Sequence, residues 1–370
     1  MYSRIRSPQN VAPALLDDYL EAGWRCIGQE IYTSHFMRFP PEEEGQLYST
    51  VPTRLPLSEY GSSKSMRRLW KRGSQKFKIE AGSCFHFDEA AQRVHEAYTR
   101  AFPDRPLTGL EFYLNAPQGP FTFDTRSVKV FDGERLIAFS VFNLGEKSIY
   151  SSQGVYDPAY RAHSLGLLTM LAEIEYGLAT GRQYFYPGYV VPGYPEFDYK
   201  HRVGPLEYYL LPSGTWQPAE TVAPQDIPVN QMKTALAQLK SLLQGNGIGA
   251  IVCDYLHFDI RFFDDRPLPY LEFPFVLIPE VPEPSKIVPM AVFHPERQNF
   301  QVLNAKFFGL GVHHTPAYQQ LMKQKPGLLR LPVAVLSTLG QDLCQNSALE
   351  IIQGFAQPRS PLPLFNSSNP

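Results

Sequence analysis

The sequence predicts an α+β protein, in which a β-sheet is combined with amphipathic helices. Three observations support this fold class. Two β-prone runs flank a tight Asp132-Gly133 turn, which is a strong local signal for a β-hairpin. A long apolar helix is predicted at 167–180, between a strand at 148–157 and another that starts at Tyr184. Further amphipathic helices are predicted at 11–25 and 87–100.

The first hundred residues predict two helices and several short strands around a third, basic helix. The helix at 11–25 is closed by Gly23, and residues 26–39 alternate as a pair of strands would. Residues 40–45 predict a solvated loop, and the prolines of 51–57 predict an extended segment. Ser62 or Ser63 is expected to cap the basic helix that follows, and Asp88 to cap the helix at 87–100.

The central part of the chain predicts strands at 109–114, 122–130, 135–144 and 148–157, then a Ser164-Leu165-Gly166 turn, a helix and a strand. This order of strand, hairpin, strand, turn, helix and strand matches that of N-acetyltransferases. The predicted fold is therefore an N-acetyltransferase-like (GNAT) mixed sheet, preceded by an N-terminal α/β subdomain and followed by a C-terminal region. The corresponding domains are 1–99, 100–217 and 218–370.

The C-terminal region predicts a helix at 229–243 and strands at 249–256 and 258–263. Residues 264–300 are rich in proline and aromatic side chains, and residues 301–356 mix apolar patches with a turn that contains His313 and His314. Adjacent histidines without an acidic partner are interpreted as ordinary loop residues rather than metal ligands. Residues 357–370 are expected to be a frayed tail.

Composition indicates an ordered globular protein, since 44% of the residues are apolar and 19% are charged. The four cysteines form no Cys-x-x-Cys pair, so they are expected to be buried and unpaired, with no metal and no other cofactor. The first ten residues lack the apolar core of a signal peptide, and no apolar run is long enough for a membrane helix. We therefore expect a cytoplasmic protein without a membrane partner.

Positive charge is concentrated in one window. Residues 54–78 carry a net charge of +7, so the rest of the chain carries −9. Such a cluster is either a solvated face or a surface for an anionic partner. The helix predicted inside this window carries the residues Lys64, Ser65, Arg67, Arg68, Lys71 and Arg72.

Residues 184–207 are the most unusual stretch of the sequence. They contain five tyrosines, several Pro and Gly turn residues, and a Tyr199-Lys200 step. Taken alone, the pattern predicts a strand–turn–strand unit that holds aromatic and charged groups in fixed directions. An aromatic β-hairpin that merely covers a core is the alternative interpretation.

This stretch resembles the signature of arginyl-tRNA–protein transferases and their bacterial leucyl-transferring relatives. The matching residues are Tyr186, Gly188, Tyr189, Tyr199, Lys200, Pro205 and Glu207, and Val191, Phe197 and Val203 replace other apolar residues. Asp157-Pro158, Ser164-Leu165-Gly166 and Glu173-Ile174 are similar to another run of the same family. The resemblance covers roughly residues 20–217.

A second similarity to this family lies in the basic window. Pro52, Arg54, Leu55, Leu57 and Tyr60 match a Pro-x-Arg run, and a Ser-Lys-Ser-x-Arg-Arg helix follows it at 63–68. Family members carry a cysteine cluster just before this run, whereas residues 39–50 contain no cysteine. The metal or haem regulation of the family is therefore not carried over to this chain.

The resemblance implies a transferase that moves an amino acid of the Arg or Leu class from an aminoacyl-tRNA to the N-terminal amine of a protein or peptide. Glu207 is the candidate general base, Tyr199 the proton donor or oxyanion partner, and Lys200 a point charge for an acidic group or a phosphate. A plain salt bridge of Glu207 with Lys200 or Arg202 is the structural alternative. Substrate contacts are expected from Arg54, Tyr186, Tyr189, Ser164, Leu165 and Gly166, and tRNA contacts from the basic helix.

Two other functional classes are compatible with the sequence. The same fold can use acyl-CoA or another small acyl donor, in which case the Ser164-Leu165-Gly166 turn would hold a pyrophosphate at a helix N-terminus. The chain can also be a non-catalytic relative that binds peptides or RNA.

Overall fold

The structure is a computed structural model, which describes residues 2–39, 46–103, 110, 121–262, 268–280, 287–307 and 327–356. The chain divides into two compact units, one made of residues 1–37 and 48–227 and the other of residues 38–47 and 228–370. The domain boundaries expected at 99/100 and 217/218 stay a prediction. Among the described residues, none of the helices has the length and apolar character needed to cross a membrane.

The helices of the described residues are α1 (Pro13–Glu21), α2 (Lys64–Lys76), α3 (Glu89–Ala101), α4 (Leu165–Ala179), α5 (Pro228–Gly245) and α6 (Gln345–Ala356). The strands of the first unit and its borders are β1 (Ser3–Arg6), β2 (Arg25–Ile27), β3 (Glu30–Ser34), β4 (Phe36–Arg38), β5 (Leu47–Ser49), β6 (Val51–Pro56), β7 (Lys78–Cys84), β8 (Asp124–Asp132), β9 (Arg135–Leu144), β10 (Ser148–Tyr156), β11 (Tyr184–Val190), β12 (Glu207–Leu210) and β13 (Thr215–Pro218). Those of the second unit are β14 (Ala250–Tyr255), β15 (Phe275–Pro279), β16 (Val288–His294), β17 (Asn299–Phe307), β18 (Leu328–Leu329) and β19 (Val333–Leu343).

A mixed sheet dominates the first unit. Its eight described strands have the order β13-β12-β6-β11-β10-β9-β8-β7. The β10–β11 pair is parallel, and the other neighbouring pairs are antiparallel. This arrangement confirms the predicted α+β class and the mixed sheet of acetyltransferase type. The sequence did not predict that β6 and β7, from the basic window, would extend this sheet on either side of the central strands.

Helix α4 is buried against the sheet because its sequence is apolar on almost every side. Ten of its residues are buried, among them Leu168, Met170 and Ile174. A helix without a polar face belongs inside a core rather than on a surface. Helix α2 covers α4 from outside at very short range, since a Cβ atom on Gly73 would lie 2.5 Å from a methyl group of Leu168.

The predicted helix caps agree with the structure. The Ser63 side chain accepts a hydrogen bond from the Met66 amide, and the Asp88 side chain accepts one from the Ala91 amide. Helix α1 is shorter than predicted at both ends. The expected loop at 40–45 lies outside the described residues, as do the strand at 109–114 apart from Leu110, the His313-His314 pair and the tail at 357–370.

The second unit contains a six-stranded sheet in the described residues, with the order β18-β14-β15-β16-β17-β19. Helix α5 and strand β14 confirm two of its predicted elements. The strand predicted at 258–263 is wrong, because a 3₁₀ helix, Ile260–Phe262, occupies this place. Strands β15 to β19 were not predicted, and prolines in β15 and β16 interrupt the alternation of those two strands.

Burial of the cysteines is confirmed for two of the four. Cys26 and Cys253 are buried, whereas Cys84 and Cys344 are exposed and all four are free thiols. The expectation of burial is wrong for Cys84 because it ends β7, which is the edge strand of its sheet. It is wrong for Cys344 because this residue lies just after β19, an edge strand of the second sheet.

Candidate active site

A cavity opens in the first unit where two neighbouring strands separate. The parallel pairing of β10 with β11 is limited to residues 148–150 and 184–186, after which β11 continues along β6. Strand β10 also has a bulge between Ser151 and Gln153, so that Ser152 has no partner in the register with β9. The resulting cavity of about 410 Å³ is lined by Tyr98, Ser140, Ser151, Ser152, Gln153, Gly154, Tyr156, Arg161, Ser164, Leu165, Gly166, Leu167, Thr169, Met170, Pro187, Tyr199 and Lys200.

The N-terminus of α4 forms one wall of this cavity. Ser164 precedes the helix in a left-handed conformation, with φ 53° and ψ 44°, which is uncommon for a residue other than glycine. Its carbonyl oxygen accepts hydrogen bonds from the amides of Leu167 and Leu168. A Cβ atom on Gly166 would meet nothing within 4 Å, so this residue borders open space. The positive end of a buried helix is suited to an anionic ligand.

Tyr199 and Lys200 reach the cavity from a 3₁₀ helix, Pro195–Val203, which follows β11. Tyr199 is 44% exposed, whereas Lys200 is only 8% exposed. The ammonium of Lys200 donates a 2.7 Å hydrogen bond to the carbonyl oxygen of Tyr189 and lies 5.0 Å from the centre of the Tyr189 ring. Burial and then the nearby charge of Arg25 lower the pKa of Lys200 to about 7, because both disfavour a second positive charge there.

Arg25 is a second buried cation next to Lys200. It is 1% exposed, and its guanidinium lies between the rings of Tyr32 and Tyr189, at 4.8 and 4.5 Å from their centres. Its Nη2 donates to the carbonyl oxygen of Ser34, whereas Nε and Nη1 have no hydrogen-bond partner in the structure. Among the described residues, no carboxylate forms an ion pair with Arg25 or Lys200. Their positive charge would therefore favour an anion in the cavity that Lys200 lines.

The basic helix α2 borders a second cavity of about 400 Å³, which is lined by Leu69, Arg72, Gly73, Gln75, Lys76, Phe77, Ala162, His163 and Ser164. Ser164 lines both cavities. The buried side of α2 consists of Met66, Leu69 and Gly73. Its exposed side carries all the residues predicted to bind tRNA, which are Lys64, Ser65, Arg67, Arg68, Lys71 and Arg72. The exposed basic side of α2 therefore borders the second cavity, and this cavity adjoins the first one, between β10 and β11, at the start of α4.

The residues that line the first cavity lie in the part of the chain that is similar to known proteins. The family model for the C terminus of arginine-tRNA-protein transferase matches residues 82–210, which include every residue that lines the first cavity. An aspartate/glutamate leucyltransferase of Leptospira interrogans is 24% identical over 208 residues, which cover 52% of this chain and 73% of that protein. One of Helicobacter hepaticus is 27% identical over 206 residues, which cover 54% of this chain and 80% of that protein.

Residues 82–210 are thus similar to arginine-tRNA-protein transferases, and about half of the chain is similar to bacterial leucyltransferases. Among solved structures, a GCN5-related N-acetyltransferase from Kribbella flavida matches over 39% of this chain and 49% of its own chain, at 13% identity and a TM-score of 0.26.

The residues of this chain that match the family signature lie in two separate places. Tyr199, Lys200 and the Ser164-Leu165-Gly166 turn line the cavity, and Tyr189 lies beneath Lys200. Arg54, Tyr186 and Glu207 are not among the residues that line it. Tyr186 is 4% exposed, and burial raises its pKa well above the ordinary value for tyrosine.

Arg54 and Glu207 form an ion pair with each other. Nε of Arg54 donates to Oε2 of Glu207 at 2.6 Å, and Nη1 donates to Oε2 of Glu21 at 2.5 Å. The guanidinium also lies between the rings of Tyr184 and Trp216, at 4.3 and 4.6 Å from their centres. The salt bridge considered for Glu207 thus exists, but its partner is Arg54 rather than Lys200 or Arg202.

Sequence reasoning missed three features of the site. Arg25 gave no signal, because an arginine in a short strand is unremarkable until its burial is known. The bulge at Ser152 depends on pairing with β9 and has no local signature. Glu173 was noted only as part of a family run, although it is fully buried under the cavity and bonded to Ser140.

Proposed function

We propose that this protein is a transferase that moves an aminoacyl group from a tRNA to the N-terminal amine of a protein or peptide, in the cavity between β10 and β11. One observation carries this proposal. The signature residues Tyr199 and Lys200 line the same cavity as the N-terminus of α4, and the basic helix α2 adjoins that cavity at Ser164. An acceptor end of tRNA can therefore lie along α2 while its terminal ester enters the cavity.

Binding of the donor is assigned to two positive features. The exposed cations of α2, such as Arg68 and Lys71, contact phosphates of the acceptor stem without reading sequence. The amides at the start of α4 face the terminal nucleotide, since Leu165 and Gly166 line the cavity. No metal or organic cofactor is assigned a part in this scheme.

The reaction needs a neutral amine, a stabilised oxyanion and a proton for the leaving ribose oxygen. Ser152 has no register partner on β9, so its backbone amide is a candidate oxyanion donor, and such donors typically contribute about 3 kcal/mol. Tyr199 is the candidate proton donor, because its exposed side chain lines the cavity. Glu207 stays a predicted general base, and this role requires that its carboxylate first release the hydrogen bond from Arg54.

Selectivity for the acceptor peptide is assigned to the two buried cations, Arg25 and Lys200. The relatives from Leptospira and Helicobacter are named for aspartate and glutamate. Among the described residues, Lys200 and the nearby Arg25 form no ion pair with a carboxylate, so an acidic first side chain of the acceptor would supply the missing negative charge at Lys200, which lines the cavity. A cytoplasmic location stays a prediction.

The test is a transfer assay with the purified full-length chain. Separately labelled Arg-, Leu- and Phe-tRNA are offered together with peptides that begin with Asp, Glu, Asn or Ala, and acetyl-CoA is offered in parallel. We expect label from one aminoacyl-tRNA in peptides that begin with Asp or Glu. Lys200→Met should abolish this transfer, whereas Lys306→Met, at an exposed position of β17, should not.

Transfer from acetyl-CoA alone would show a small-donor acyltransferase instead. Binding of tRNA or peptide without transfer from any donor would show a non-catalytic relative. Equal transfer to peptides that begin with Asp and Ala would leave the reaction class intact but refute the role of the Arg25–Lys200 pair.

A further inference from the structure

A buried carboxyl group lies behind the wall of the cavity. Glu173 of α4 is 0% exposed, and its Oε1 accepts a 2.5 Å hydrogen bond from the hydroxyl of Ser140 on β9. Ser140 itself lines the cavity, as does Ser151 on β10. One hydroxyl group therefore separates the buried carboxyl from the space assigned to the substrates.

The surroundings of Glu173 are unusual for an acidic residue. Burial raises its pKa to about 7, and only the hydroxyls of Ser140 and Ser151 lower it. The second carboxyl oxygen, Oε2, has no hydrogen-bond partner in the structure. The Ser151 hydroxyl lies near the carboxyl group but does not bond to this oxygen. Among the described residues, no charged side chain of the elements packed against α4 contributes to the pKa of Glu173. The titratable groups of the cavity are Tyr98, Tyr156, Arg161, Tyr199 and Lys200.

A structural role explains this arrangement poorly. A leucine or methionine would fill the same space without a desolvation cost, and a carboxyl with one unpartnered oxygen is an expensive core residue. The reaction, in contrast, requires a proton acceptor near the cavity. Glu207 is engaged by Arg54, and it does not line the cavity.

We propose that Glu173, acting through the hydroxyl of Ser140, is the proton acceptor for the acceptor amine in the transfer reaction. Glu173 is a positioning residue in this scheme, because Ser140 stands between it and the substrate. The proposal rests on the proposed function, since it names the base of that reaction.

The step replaces the C–O bond of the ester by a C–N bond and releases one proton to solvent. The ammonium of the acceptor gives one proton to the Ser140 oxygen while the serine passes its own proton to Oε1 of Glu173. The free amine then attacks the ester carbon, so that a C–N bond forms and the C–O bond to the ribose breaks. The second proton of the nitrogen ends on the ribose oxygen. Glu173 finally returns its proton to solvent through Ser140, and the products are an amide and a free tRNA.

The main experiment measures the single-turnover transfer rate between pH 5.5 and 9 for the wild type, Glu173→Gln and the matched control Glu175→Gln. Glu175 is exposed on the same helix. The wild type should gain activity as the pH rises through about 7, where the pKa of Glu173 lies. Glu173→Gln should lose this rising limb of the pH–rate profile. Its transfer rate at pH 7.5 should fall on the order of a hundredfold, with KM for the peptide within about twofold of the wild-type value. Glu175→Gln should match the wild type.

Ser140→Ala gives a second, different signature. Because Ser140 lowers the pKa of Glu173, its removal should move the limb to higher pH as well as reduce the rate. Infrared spectra of the protein without substrates should show a protonated carboxyl band that disappears from the wild type between pH 6 and 8 and is absent from Glu173→Gln, at roughly the pH of the kinetic limb.

Lys200 is the competing base, since its pKa is also lowered to about 7. If the limb persists in Glu173→Gln but disappears in Lys200→Arg, Lys200 is the base and the proposal is overturned. A folded Glu173→Gln enzyme with the rate and pH profile of the wild type overturns it as well. An inactive wild type would refute the proposed function itself, and the infrared titration would then still decide whether Glu173 holds a proton near neutral pH.

Discussion

Replacing Glu207 by Gln separates a structural role from a catalytic one. Glu207 is the first residue of β12 and lies opposite Arg54 of β6 in the antiparallel register. Its carboxylate accepts the 2.6 Å hydrogen bond from Nε of Arg54, whose guanidinium is nearly excluded from solvent. We therefore expect this substitution to reduce stability and to leave the chemical step nearly unchanged.

The size of the effect follows from the surroundings of Arg54. Removal of one member of a buried ion pair costs about 3–5 kcal/mol when the other charge is left alone. Arg54 would not be left alone, because Glu21 remains at 2.5 Å, although Glu21 is 58% exposed. The Gln amide oxygen can still accept from Nε, but without a charge, which is worth about 1 kcal/mol less. We expect a loss of about 2 kcal/mol in the free energy of unfolding.

Urea unfolding of four proteins measures this value: wild type, Glu207→Gln, Arg54→Met and the double variant. Arg54→Met should lower the free energy of unfolding by about 4 kcal/mol. It leaves the Glu207 carboxylate without its cationic partner and removes the contacts with the rings of Tyr184 and Trp216. The double variant should be less destabilised than the sum of the single variants by about 2 kcal/mol. Glu220→Gln, at an exposed position beyond β13, is the control and should leave stability unchanged.

The same four proteins are then compared in single-turnover transfer with preformed aminoacyl-tRNA. We expect Glu207→Gln to retain the wild-type rate within about threefold at a temperature where it is folded. A rate loss on the order of a hundredfold with unchanged stability would refute the structural reasoning and support Glu207 as the general base.

Three further predictions address the charge of the site and its open face. Lys200→Met should raise the free energy of unfolding, by about 3 kcal/mol at pH 6 and less at pH 9.5. The reason is that the pKa of Lys200 is about 7 in the folded chain, against 10.5 ordinarily. The free-energy cost of burying its charge is therefore complete below pH 7 and decreases as the pH rises toward 10.5. Equal effects of the substitution at both pH values would contradict this. Arg68→Ala should weaken tRNA binding and reduce the slope of log K against log salt by roughly one, measured by fluorescence titration, whereas Arg93→Ala on α3 should do neither. Gly166→Ala should fold with unchanged or slightly higher stability, since a methyl group there meets open space, but should raise KM for the donor several-fold; unchanged kinetics would remove the α4 N-terminus from the donor site.

Local signals in the sequence were enough to place the central elements of the first unit. Ser63 and Asp88 cap their helices as predicted, because a cap depends on a few neighbouring residues. The turn at Asp132-Gly133 and the apolar helix α4 are local in the same sense. The position of the Ser164 turn beside the separating strands followed from the order of elements, which the sequence also contains.

Features that depend on long-range pairing could not be predicted in this way. Strand β6 joins both β11 and β12, and β7 joins β8, across gaps of many residues. The 3₁₀ helix Ile260–Phe262 replaces a predicted strand because a short apolar run has no reliable period. Charge states were the hardest to predict. The sequence predicts Lys200 as a point charge, whereas burial beside Arg25 lowers its pKa to about 7, so that its charge depends on pH near neutrality.

The two places occupied by the signature are connected by the path of the chain. Strand β11 ends at Val190 beside Val51 of β6, and β12 begins at Glu207 beside Arg54 of the same strand. The intervening residues must therefore leave β6 and return to it, and the 3₁₀ helix that carries Tyr199 and Lys200 lies on this excursion. The Arg54–Glu207 ion pair fixes the point of return, while the bond from Lys200 to the Tyr189 carbonyl fixes the point of departure. The Arg54–Glu207 pair therefore contributes to the stability of this part of the fold, which is the role that the Glu207→Gln experiment tests.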